Sequence, residues 1–216
     1  VPDPAQIRDG LGALANGASA LAVAWHAVLL AAGAALLLGW RPSVRTAGLL
    51  LSAPLLSVAA AAFAWDNRFN GTVFLAIGGL QAATAARMPS RPATRGAPWA
   101  QGAGLALVAA GWAYPHFLES VSALTYLYAA PTGVIPCPTL ALVAGVSLVL
   151  DGLGSRRWAL VLSAAAVFYG LVGALRLGVG IDLVLPAGAV ALGVQALNDG
   201  RQGRAVPPSV TAFRRP

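Results

Sequence analysis

Long apolar runs separated by short polar gaps organise this chain. The runs cover about residues 19–40, 46–65, 69–86, 98–117, 139–150, 158–175 and 183–197. A helix rising 1.5 Å per residue needs roughly 20 apolar residues to cross a hydrocarbon core ~30 Å thick. The pattern therefore predicts an all-α polytopic transmembrane helical bundle of about seven spans. The fifth run, Thr139 to Leu150, is short. It makes a full crossing only if the turn around Pro136 or the Asp151-Gly152 end lies in the membrane boundary, where irregular backbone has to be covered by protein or line a cavity.

Outside the spans, residues 1–17 read as an interfacial helix. Asp3 is placed to cap it, Pro4 falls in the first turn, Gln6 completes a capping box, and Ile7, Leu11 and Leu14 share a face. Residues 18–197 form the transmembrane domain, and 198–216 an Arg-bearing tail. Between Leu118 and Ala130 the polar Glu119, Ser120, Ser122 and Thr125 interrupt the apolar character, which suits a second interfacial helix. No basic leader precedes the first apolar run, so a cleavable signal is not expected. Small residues spaced four apart, such as Ala141 and Gly145, Ala187 and Ala191, or Ala189 and Gly193, let helices approach closely. They also allow a homo-oligomer or a partner within a membrane complex.

Charge fixes the expected orientation. All fourteen basic residues are Arg. Eleven of them fall in the gaps after the first, third and fifth runs or in the tail, leaving only Arg8, Arg68 and Arg176 elsewhere. By the positive-inside rule the N-terminus is outside and the C-terminus cytoplasmic, as in a multi-pass protein of a bacterial inner membrane. Trp40, Trp99 and Trp158 then fall at the inner boundary and Trp65 at the outer one. A net charge of +7 would suggest nucleic acid in a soluble chain. Here the charges border apolar runs, and the expected partner is the lipid bilayer, not nucleic acid. One cysteine excludes an internal disulfide framework and any multi-cysteine cluster. No Walker loop, Gly-x-Ser-x-Gly elbow or His-Glu-x-x-His motif occurs, so no catalytic residue is assigned.

Candidate chemistry centres on Pro131-Thr132-Gly133-Val134-Ile135-Pro136-Cys137-Pro138-Thr139. Its prolines break a helix and restart one, with Cys137 as the expected cap and Pro138 as the first helical residue. A thiol at the positive end of a helix dipole favours thiolate if the site is wet, and otherwise acts as a small apolar filler. His26 lies about 21 Å above Trp40 and His116 about 25 Å above Trp99 along their helices. Both histidines thus share the outer layer with Cys137. Thiolate and imidazole suit a soft metal such as copper, giving Cys137, His116 and His26 as candidate ligands. The alternatives are axial ligation of haem b by His26 and His116, or an interfacial His116 beside a proline kink with His26 hydrogen-bonded to a neighbouring helix.

Tyr114-Pro115, followed by the Gly133 to Thr139 turn with Pro131, Pro136 and Pro138, resembles a bacterial family of multi-pass membrane proteins catalogued as a domain of unknown function. That family carries Tyr-Pro at the end of a middle helix and Gly-x-x-Pro-Cys-Pro-Thr opening an apolar one. The resemblance implies a membrane fold of six to seven spans and brings no activity. The function expected is binding or transport of a small solute or soft metal ion near the turn, and the alternative is a structural or accessory subunit.

Overall fold

The computed structural model describes residues 3–119 and 122–202, so the expected tail, 198–216, lies mostly outside the described residues. Helices α1 (Pro4–Gly17), α2 (Ser19–Leu37), α3 (Val44–Ala64), α4 (Arg68–Ala86) and α5 (Pro98–Trp112) are followed by the single turn α6 (Tyr126–Ala129), then α7 (Pro136–Val149), α8 (Arg156–Leu171) and α9 (Val184–Gln202). The fold is all-α, with no strand among the described residues. Four segments are long and apolar enough to cross a membrane: Ser19–Leu37, Val44–Ala64, Arg156–Arg176 and Gly180–Leu197. The remaining predicted runs are helical as well, α4 with 19 residues, α5 with 15 and α7 with 14.

Three helix pairs, α3 with α4, α5 with α7 and α8 with α9, make up the bundle, and α7 also touches α3, α8 and α9. Because neighbours surround it, α7 is buried almost throughout, from Pro136 and Pro138 through Gly145 to Leu148. The short fifth run is thus a central pillar. At its closest approach to α5 the two backbones meet at glycines. A Cβ on Gly104 would stand 2.5 Å from the Gly145 carbonyl oxygen, and one on Gly145 would stand 2.5 Å from that of Gly104. Only hydrogen in place of a side chain permits this crossing. Of the small-residue pairs in the sequence, Gly145 has this role, whereas Gly193 has open space around it.

α1 is capped by Asp3, with the reciprocal bond from the Asp3 amide to Gln6. Leu11 and Leu14 are buried against Tyr114, Ile135, Leu177 and Val179, so α1 roofs one end of the bundle. Arg8 donates to the Leu177 carbonyl and Asn16 to that of Phe117, fixing the roof in place. α2 is the least enclosed span, with 11% of its apolar window buried. It is held at a few points only, one being Trp25, whose indole donates to Ser57 Oγ at 2.8 Å. Between Leu118 and Ala130, where an interfacial helix is expected, the described residues form a 3-10 turn, Ala123–Thr125, joined to α6.

Interlocking loops define the two ends. At one, Val44 bonds the Arg91 carbonyl, Ala93 that of Pro42, and Gly96 that of Val149. The loops gathered there carry Arg41, Arg87, Arg91 and Arg95, with Arg45, Arg156 and Arg157 in the adjoining helix starts. The other end, beneath α1, holds the Pro131–Thr139 turn.

Candidate functional site

The turn before α7 is built by hydroxyl groups. Thr132 Oγ1 donates to the Gly111 carbonyl at 2.6 Å, anchoring the turn on the end of α5. Thr139 Oγ1 accepts from the Gly133 amide at 2.8 Å and donates to the Ile135 carbonyl at 2.7 Å. Gly133 has φ +77 beneath the Trp25 ring, a conformation and a closeness that exclude a side chain. Helix α7 starts two residues earlier than the capping argument predicts: Ile135 is the extended cap, Pro136 the first helical residue, and Cys137 lies inside the first turn. The reason is that the first turn of a helix has no internal acceptors for its amides. Pro136 and Pro138 therefore both fit there without losing a bond.

Cys137 lies where the two apolar clusters of the bundle meet. Its sulfur is 4.0 Å from the Tyr169 carbonyl oxygen and lies beside the Asp182 carboxyl and the Tyr114 hydroxyl. Tyr114 donates to Asp182 Oδ1 at 2.7 Å. Phenol, thiol and carboxyl thus come together from the end of α5, the start of α7 and the turn entering α9. Both Tyr114 and Asp182 are 2% exposed. Space for the carboxyl comes from α8. Beyond Leu171 that helix widens into a π-turn, Val172–Arg176, and Asp182 Oδ2 lies against Gly173, in the volume a side chain there would fill. Deeper in, Tyr169 donates to Asn70 Oδ1 at 2.9 Å and meets Phe74 edge-on, which seats the α8 wall of the site.

The two histidines fare differently. The His116 ring is 5.5 Å from that of Tyr114, half-buried at the margin of the cluster, and close enough to act electrostatically on Asp182. His26 is turned away from it. Its Nδ1 is 2.9 Å from the Ala22 carbonyl oxygen and its Nε2 is 3.0 Å from that of Trp112. With both ring nitrogens facing carbonyls and the ring edge-on to Trp112, His26 acts in this arrangement as a tie between α2 and α5. It offers no free nitrogen to a metal or a haem iron. Among the described residues no three His, Cys, Asp or Glu side chains are grouped closely enough to hold a metal ion.

Sequence reasoning reached Tyr114, Pro115, Cys137 and His116 but missed Asp182, Gly173 and Tyr169. Asp182 reads in sequence as one more acid in a short polar gap. Its only local signal is its position immediately before an apolar run, where a carboxyl can be drawn into the helix end. On the outside of the bundle, an open apolar groove of about 690 Å³ between α8 and α9 is lined by Leu160, Val167, Phe168, Leu171 and Val190 and includes none of the polar cluster. Comparison with protein-family models, with curated proteins and with solved structures gives no match for this chain.

Proposed function

We propose that this chain is an integral membrane protein of seven spans, of the multi-pass kind its Pro-Cys-Pro-Thr turn resembles, that binds a small soft cation at the Tyr114–Cys137–Asp182 cluster. Cys137 and Asp182 are the ligand groups, and Tyr114 positions the carboxyl. The observation that carries the reading is the buried carboxyl beside the only thiol. Among the described residues no ion pair reaches Asp182, and a carboxylate far from water is tolerated only when a proton or a cation neutralises it. Thiolate selects soft ions over hard ones. The gathering of Arg at the opposite end supports the orientation in which this site lies on the outer side of a bacterial inner membrane.

Protein purified in mild detergent should take up about one equivalent of copper(I), read by elemental analysis after desalting. Cys137→Ser should abolish uptake and Asp182→Asn should weaken it. A protein that takes up no soft metal, or takes it up equally well as Cys137→Ser, refutes the site. A second reading, a structural or accessory subunit with no ligand of its own, is favoured by the lack of any three-residue ligand group among the described residues. Under it the Tyr114–Asp182 bond only ties α5 to α9.

A further inference from the structure

We infer that the groove on the outside of α8 and α9 holds an acyl chain of an anionic phospholipid whose phosphate is bound by Arg156 and Arg157. The inference rests on the reading that the chain spans a membrane, and it is independent of the cysteine cluster. Arg156–Arg176 is long and apolar enough to cross a bilayer, and the groove runs along it. Leu160, Ala164 and Phe168 follow one another four residues apart on α8, so the alanine leaves a notch between two large side chains. Leu171 continues this row, and Val190, 67% exposed, forms the α9 bank. From Leu160 to Leu171 the groove extends about 16 Å along α8, the depth of one leaflet of a ~30 Å core. Ser163, the polar residue of the lining, donates its hydroxyl to the Ala189 carbonyl at 3.1 Å. The groove thus presents hydrocarbon with no unmatched polar side chain.

Charge selects the lipid. Arg156 shares a helix face with Leu160 and Ser163, and Arg157 shares one with Leu160 and Ala164, so both arginines stand one turn beyond the groove on the side that lines it. Helical Cα–Cβ bonds tilt toward the N-terminus, which directs both stems out of the hydrocarbon toward the level of a headgroup. Both residues are exposed, and among the described residues neither guanidinium has a hydrogen bond or an ion pair. By contrast, Arg41 donates to the Leu36 and Trp40 carbonyls and Arg45 to that of Met88. Against the seven arginines gathered at this end stand Asp151, bonded to Gln195 and Thr94, and Asp199 near the end of α9. The excess is positive and fits an anion. A second copy of the chain is the competing apolar occupant. Copies in one membrane share an orientation, so a two-fold partner on this face would bring the same two arginines to the same depth. Like charges oppose that pairing, whereas a phosphate accepts from both guanidinium groups.

The test uses the full chain in mild detergent, with thermal unfolding followed by tryptophan fluorescence as phosphatidylglycerol, phosphatidylcholine or sodium phosphate is added. Phosphatidylglycerol should raise Tm saturably, by about 3–6 °C at ten times the half-saturating amount, and the other two should leave it nearly unchanged. Arg156→Gln combined with Arg157→Gln should need roughly ten-fold more phosphatidylglycerol for the same shift. Arg87→Gln combined with Arg95→Gln removes equal charge away from the groove and should respond as the unaltered chain does. Ala164→Phe, at an exposed position, should fold normally and lose the response because its ring fills the notch. If that variant does not fold, the arginine pair decides alone. An equal response to phosphatidylcholine overturns the headgroup assignment, and a response to sodium phosphate as large as to phosphatidylglycerol overturns the acyl groove. An unchanged response in the Arg156 and Arg157 variant overturns the location. A dimer in gel filtration that Ala164→Phe splits, with no lipid response, gives the groove to a second copy and overturns the inference. Retention of the chain in membranes through an alkaline wash tests the membrane reading by itself: release refutes that reading, whereas retention without a phosphatidylglycerol response refutes the lipid site alone. Cys137→Ser should leave the response intact, so failure here and failure of the copper site are read separately.

Discussion

The two ends of this bundle each hold a carboxyl-centred group, and they are built in opposite ways. At the cysteine end the carboxyl is deep, roofed by α1, and bonded to a phenol; the backbone makes room by widening α8 into a π-turn over Gly173. At the arginine end the carboxyl is half-buried and bonded to an amide, and the backbone makes room by reversing its hand for four residues. The first end widens a helix to draw the acid inward, whereas the second gives up helical geometry to present the acid near solvent. The polar partner follows from the depth. Tyr114 brings one hydroxyl and little else polar, fitting a dry site, whereas Gln195 brings a donor and an acceptor, one of which is left over.

The largest test of this contrast is to disturb the pillar between the ends. Gly145→Leu places a side chain into the Gly104 carbonyl, and overpacking against backbone should cost at least about 3 kcal/mol. The variant should fail to give a monodisperse peak in detergent gel filtration. Next comes Tyr114→Phe. It strips the phenol's hydrogen bond from a buried carboxyl and should cost about 1–3 kcal/mol, read as a lower Tm, with α1 becoming protease-sensitive because its roof contacts include Tyr114. Ser57→Ala is smaller. Ser57 accepts from Trp25 and donates to the Gly133 carbonyl at 2.7 Å, so losing it should cost about 1 kcal/mol and speed hydrogen exchange in α2. Thr94→Ala should be the smallest, within about 0.5 kcal/mol, because its bond is long and exposed. A Thr94 effect as large as that of Tyr114 would erase the contrast between the ends.

Helix positions were legible because an apolar run between arginines has one stable outcome in a chain this poor in charge. α4 matches its predicted run to within a residue, and α2 ends only a few residues short of Trp40. The proline turn was legible too, since Pro136 and Pro138 force the backbone wherever they occur. What lay hidden was every pairing across distance. Tyr114 with Asp182 and Asp151 with Gln195 are separated by 68 and 44 residues, and nothing local distinguishes those acids from Asp66, which pairs with Arg68 on the surface. His26 shows the same limit. Its place in an apolar run marked it as buried, but the carbonyls that occupy its ring belong to its own preceding turn and to α5, and the second of these is visible only once α2 and α5 are side by side.

The enclosure of α7 bears on how the chain is made. A 14-residue helix is too short to be retained by lipid as it leaves the ribosome, and one covered on all sides gains little from lipid. Its Gly145 face is completed by α5, which is synthesised before it, but its contacts with α8 and α9 await segments synthesised later. Integration of α7 is therefore coupled to its neighbours. A chain interrupted after Val149 therefore leaves the sides of α7 that face α8 and α9 uncovered, even though every residue of the cysteine turn has already been translated.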